Sequence, residues 1–154
     1  MALRVAVAFD HRGVHLRDAV LEELRRGAYE VVDLGTDSDE VRIDYPDKAR
    51  EVGESLRAGF AERGVLVCGS GVGAAVSACK IAGIRASVCH DGYSAHQGVE
   101  HDDMNVLALG SRVIGADVAI ELVRAFVGAQ FSGEERHLRR LNKVRAIEAR
   151  LVGK

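Results

Sequence analysis

A few short groups in this sequence carry side chains able to move protons or hold anions. They are Asp10 with His11, CGSGVG from Cys68 to Gly73, His90 with Asp91, His101 with Asp102, and Arg112, Arg136, Arg139 and Arg140 around His137. CGSGVG is the most informative, because Gly69, Gly71 and Gly73 leave backbone amides unshielded where a helix begins. Such amides, reinforced by the helix dipole, suit an oxyanion or a phosphate. A tight turn that needs glycine only for packing is the competing explanation. Cys68 stands at a strand end beside a helix N-terminus, a place that favours the thiolate and so a base or a nucleophile. The ordinary fate of a cysteine is the core; Cys79, inside a small-residue helix, and Cys89, at a strand end, default to structural roles.

Other chemistries compete for the same residues. Gly69, Gly71 and Ala74 satisfy GxGxxA, with Asp91 about twenty positions on, as in a dinucleotide site. That fingerprint usually follows the first strand and serves larger chains with a separate substrate domain. A Cys-x5-Arg phosphatase pattern fails because Ala74 stands where arginine is needed. Asp10 also reads as a helix cap, and His11, His90 and His137 as surface histidines. Seventeen of the 21 basic residues are arginine. A solvated charged face explains them, yet guanidinium forks suit phosphate, and Arg112 directly follows a strand.

The elements that must position these groups are legible in the apolar pattern. Leu3–Phe9, Tyr29–Leu34, Val65–Cys68, Ile84–Val88 and Val106–Leu109 read as short buried strands. Between them, helical spacing runs from Val14 to Gly27, Asp47 to Glu62, Tyr93 to Val99 and Ala116 to Val127, GSGVGAAVSACKIAG opens with glycines and continues as a small-residue helix ending at Gly83, and a terminal helix covers Glu134–Leu151. Strands alternating with helices predict an α/β fold, a three-layer sandwich around a five-stranded parallel, Rossmann-like sheet with an extra C-terminal helix. Its ligands belong at the carboxyl ends of the strands. A loop carrying His101 would lie at the opposite end of its own strand, reachable only through a helix end or a second subunit.

Composition narrows the function further. At 154 residues, 47% hydrophobic and 29% charged, residues 1–154 make one ordinary domain. A net charge of −2 gives no footing for nucleic acid or an anionic membrane, and 5% aromatic residues without tryptophan give no base-stacking platform. No apolar run is long enough for a membrane span or a signal segment. Three cysteines with no CxxC pair make a zinc site or a disulfide framework an unfavoured reading, and point to a reduced, cytoplasmic protein.

Taken in order, DHRG at 10–13, DYP at 44–46, CGSGVG at 68–73, KIAGIRA at 80–86, YSA at 93–95, NVLALGSRV at 105–113 and RHLRR at 136–140 resemble the ribose-5-phosphate isomerase type B family, with its galactose-6-phosphate and allose-6-phosphate isomerase relatives. The resemblance covers nearly the whole chain. It implies a metal- and cofactor-independent aldose–ketose isomerase acting on a phosphorylated sugar through a cis-enediolate. It implies Cys68 as the base, with Ser70 and the amides of Gly69, Gly71 and Gly73 at the enediolate oxygen. Asp10, His11, Tyr45 and His101 would hold the sugar and assist ring opening, and Arg112, Arg136, His137 and Arg140 would grip the phosphate. It also implies a homodimer with sites at the interface, or a tetramer built from it. Two departures stand out: Asp102 where the family commonly has asparagine, and Cys79 where it commonly has asparagine before the helix lysine. Asp102 bears on sugar preference, because an ionised carboxylate accepts hydrogen bonds but donates none.

Overall fold

The computed structural model describes residues 1–153. Its elements run β1 (Arg4–Phe9), a 3-10 turn (Gly13–Leu16), α1 (Arg17–Arg26), β2 (Glu30–Asp33), α2 (Tyr45–Arg57), β3 (Arg63–Cys68), α3 (Val72–Ala78), β4 (Ala86–Val88), α4 (Gly92–Asp102), β5 (Val106–Gly110), α5 (Ala116–Gly128) and α6 (Glu135–Val152). All strands are parallel, in the order β2-β1-β3-β5-β4. The three-layer α/β sandwich with an added terminal helix is therefore the architecture.

Alternation along the buried strands divides the core in two. Val5, Val7 and Phe9 of β1, with Val65, Val67, Leu107 and Leu109, face α1, α4 and α5. Ala6 and Ala8, with Leu66, Cys68, Val106 and Ala108, face α2 and α3. The second face is built from small residues, so its helices lie close to the sheet. A Cβ on Gly64 would come within 2.4 Å of Val52 Cγ1, and one on Gly53 within 2.5 Å of Ile81 Cδ1. Gly13 shows the same closeness at the 3-10 turn, where an added Cβ would meet the Val67 carbonyl oxygen at 2.0 Å. That contact seats the residues after β1 directly on β3.

Element ends differ from the sequence expectation in instructive ways. The helix expected over Asp47–Glu62 starts at Tyr45, with Pro46 in its first turn, and stops at Arg57. Gly59, at φ +79°, then turns the chain into β3. α3 ends at Ala78, short of Gly83, whose φ of +84° marks the turn into β4. α4 continues past Val99 to Asp102 and is stopped by Asp103 in the left-handed region at φ +51°. His101 and Asp102 therefore sit on a helix, not in a loop.

Candidate active site

The winding changes direction between β1 and β3, and a cleft of about 570 Å³ opens beyond their carboxyl ends, as expected for such a sheet. Asp10, His11, Tyr45, Cys68, Gly69, Ser70, Gly73 and Arg112 all line it. Asp10 Oδ1 accepts from the amides of Arg12 (2.9 Å) and Gly13 (2.8 Å), so the carboxylate does cap the turn, and its second oxygen makes no protein hydrogen bond among the described residues. His11 Nδ1 lies between the amide (3.1 Å) and the carbonyl oxygen (3.2 Å) of Ile43. A neutral ring accepts from the first and a protonated ring donates to the second, so the 42–45 loop stays tethered in either state.

The Cys68 thiol is buried at the floor, and its Sγ accepts from the Gly71 amide at 3.1 Å. This refines the expected oxyanion nest. The Gly71 amide serves the sulfur, while the Gly73 amide, in the first turn of α3, has no acceptor within the helix. Ser70 Oγ accepts from the Val72 amide at 3.2 Å, keeping its own proton free to donate. Gly71 takes φ +81°, and a Cβ there would press on the Leu109 backbone at 3.0 Å. On Gly110 it would meet Ser70 backbone at 2.6 Å. The loop is thus seated on the end of β5, whose continuation is tied in by the Arg112 amide donating to the Gly69 carbonyl at 3.0 Å. Gly73 leaves room for the Tyr45 ring, which a Cβ would meet at 2.6 Å.

His90 supports this floor from the side. β4 ends at Val88, and the next free ladder donor of β5, the Gly110 amide, gives its hydrogen to His90 Nε2 at 3.0 Å. The ring must be neutral to accept, and burial lowers its pKa from the ordinary histidine value. An unfolded histidine titrates near about 6.5, so acidification protonates the unfolded chain first and stability drops until the folded value is reached. Urea midpoints should therefore decrease as the pH falls through the ordinary histidine range. His90→Gln, whose amide oxygen can still accept, should flatten part of that decline; an unchanged slope would refute the assignment.

The remaining expected site residues gather elsewhere. His101 and Asp102 close α4, at the sheet edge opposite the cleft, roughly 16 Å away along a strand of β5's length. There the His101 ring stacks on His137 with centroids 3.9 Å apart. His137 is 2% exposed and bonded through Nδ1 to Ser132 Oγ at 2.6 Å. Burial, then His101 and the flanking arginines, lower its pKa. Arg140 and Asp102 share a groove beside α6, and exposed Arg136 pairs with Glu134 at 3.0 Å. One chain therefore brings the thiol, glycine loop, Asp10, His11, Tyr45 and Arg112 together, and leaves His101, Asp102, Arg136, His137 and Arg140 apart.

Some lining residues escaped the sequence reading. Arg42 and Ile43 enter the cleft from the polar loop before α2, and Ile43 does so through backbone atoms, which no side-chain pattern reveals. Asp91, the acid of the dinucleotide alternative, caps α4 by accepting from the Ser94 amide at 2.7 Å. Among the described residues no group of three or more His, Cys, Asp or Glu is disposed to hold a metal ion, and no helix is long and apolar enough to cross a membrane.

Residues 5–144 match the Ribose/Galactose Isomerase family. Ribose-5-phosphate isomerase B of Escherichia coli is 44% identical over 147 residues, 96% of this chain and 97% of that protein. A D-erythrulose-4-phosphate isomerase of Pectobacterium atrosepticum is 35% identical over 131 residues, 85% of this chain and 86% of its own. The solved ribose-5-phosphate isomerase B of Clostridium thermocellum superposes with a TM-score of 0.92 at 39% identity, covering 97% of this chain and 99% of that one. The type B enzyme of Trypanosoma brucei gives 0.91 at 40% identity, covering 96% and 99%. A matching sequence over nearly the full length, on a matching sheet with the thiol and glycine loop at its switch point, has one conclusion: the chain belongs to the ribose/galactose isomerase family.

Proposed function

We propose that this sugar-phosphate isomerase interconverts ribose 5-phosphate and ribulose 5-phosphate, with Cys68 as the base and no metal in the reaction. The carrying observation is the Cys68 sulfur at the cleft floor, accepting from the Gly71 amide beside the Ser70 hydroxyl. In the opened aldose, the thiolate removes the proton from C2 and the electron pair moves through C1 onto O1, giving a cis-enediolate. Ser70 and the Gly69 and Gly73 amides meet the developing oxyanion, each donor contributing about 3 kcal/mol in comparable sites. The thiol then returns the proton to C1 while the O2 proton passes to O1, and the ketose forms.

A second copy completes the site in this reading. Its His101 and Asp102 would reach the ring oxygen and hydroxyls, and its Arg136, His137 and Arg140 would join Arg112 at the phosphate. Two observations support a dimer. The ring-opening and phosphate groups stand at the wrong sheet edge of their own chain, and α6 leaves Leu138, Val144, Ile147 and Leu151 exposed. Three free thiols fit a reducing cytoplasm.

Another aldose phosphate is the second reading, favoured by the relatives named for D-erythrulose 4-phosphate and by Asp102. Allose 6-phosphate and galactose 6-phosphate belong to the same comparison. Turnover across four-, five- and six-carbon aldose phosphates separates them, with kcat/KM for ribose 5-phosphate expected to lead by about tenfold or more. A lead for another sugar would move the substrate, and no turnover of any would end the isomerase reading.

A further inference from the structure

Arg12 lies outside the chemistry described so far, yet it lines the same cleft as Cys68, Ser70 and Arg112. Its stem crosses Gly69: a Cβ there would stand 3.1 Å from Arg12 Cδ and 3.4 Å from Nη1, with Arg112 Cδ at 3.9 Å. Two arginines, from the ends of β1 and β5, thus converge on one glycine, next in the chain to the proposed base. Neither pairs with a carboxylate among the described residues. Asp10, the nearest acid in sequence, spends Oδ1 on the Arg12 and Gly13 amides, which fixes the root of Arg12 and leaves its guanidinium unneutralised. An anion between the two cationic side chains would relieve their mutual repulsion, and guanidinium forks match a phosphate monoester.

We propose that Arg12 holds the substrate phosphate together with Arg112 and, because its stem crosses the cleft beside Gly69, selects shorter sugar phosphates over six-carbon ones. The proposal rests on the isomerase reading above and names the substrate class within it. Each added carbon lengthens the distance between the phosphate and the C1–C2 pair at Cys68. A phosphate fixed at the guanidinium ends, with the Arg12 stem taking up cleft space beside Gly69, leaves the longer chain no room to place C2 at the sulfur.

Arg12→Ala and Arg12→Met separate charge from volume, since methionine keeps a stem and loses the cation. Inorganic phosphate, tested as a competitive inhibitor and by calorimetry, should bind both variants about tenfold or more weakly than the parent, as expected for losing a charged hydrogen-bonding partner. KM for ribose 5-phosphate should rise by a similar factor with kcat within about threefold. The ratio of kcat/KM for ribose 5-phosphate over allose 6-phosphate should fall about tenfold in Arg12→Ala and less in Arg12→Met. Unchanged phosphate affinity in both variants overturns the grip. A loss of kcat with phosphate affinity intact also overturns it, placing Arg12 at the enediolate. An unchanged sugar ratio overturns the selection. If the parent turns over no sugar phosphate, the isomerase reading fails alone, because phosphate calorimetry still reads Arg12.

Discussion

Cys68→Ala should reduce turnover of ribose 5-phosphate by about 10³- to 10⁴-fold, the range expected for removing a positioned base. Affinity should change little, because the phosphate grip and the sugar contacts reside in other residues. The sharpest readout is exchange in deuterated water: the parent should incorporate solvent deuterium at C2 of the aldose, and the variant should not. Cys68→Ser adds a second arm. It keeps the size and a hydrogen-bonding atom at the cleft floor, but a hydroxyl is a far weaker acid than a thiol, so a loss comparable to that of alanine is expected. Retained deuterium incorporation in either variant would remove Cys68 from the base's role. Loss of both exchange and calorimetric binding would show that the sulfur holds the loop, not the proton. The second outcome has a structural basis to be tested against, since Sγ is the acceptor for the Gly71 amide and Gly71 adopts a left-handed conformation.

The second large effect comes from mixing inactive chains. Cys68→Ala loses the thiol and His101→Asn loses the group proposed to open the sugar ring, so each homodimer should be nearly inactive. Co-expressed, the two chains should recover roughly one quarter of parental activity, because about half the dimers are mixed and each of those rebuilds one intact site of two. If both residues served a site within one chain, no mixture would recover anything. The geometry argues for recovery: His101 is stacked on His137 at the far edge of the sheet, while Cys68 lies at the carboxyl end of β3. The helix bearing His101 runs antiparallel to its neighbouring strands, and no rotamer spans the length of a strand.

The strands were legible because each is a short apolar run bounded by polar or glycine residues, as LRVAVAF is by DHRG. Helix ends were harder. The apolar spacing of α3 continues through Ile81, but the chain has already turned at Cys79, where small residues offer no periodic signal to mark the stop. α4 outran its apolar period because GlnGlyValGluHisAsp carries only Val99 toward the core. Strand-end groups of the cleft could be read from topology alone. Which amide faces the sulfur could not, since that depends on the backbone conformation at Gly71. The tether of His11 to Ile43 and the His101–His137 stack were equally hidden, the first because main-chain atoms carry it and the second because its rings come from helices 36 positions apart.

The unequal faces of the sheet bear on how this chain can diverge. Where Val, Leu and Phe meet α1 and α5, aliphatic side chains can trade volume with one another as neighbours repack. Beneath α2 and α3 the spacing is set by alanine and glycine, and one extra methyl at Gly64 or Gly53 strikes a neighbour. Inheritance is therefore permissive on the side remote from Cys68 and stringent on the side that carries it. A change of sugar is therefore expected to come from substitutions in the rim segments, with the bed under the sulfur unaltered.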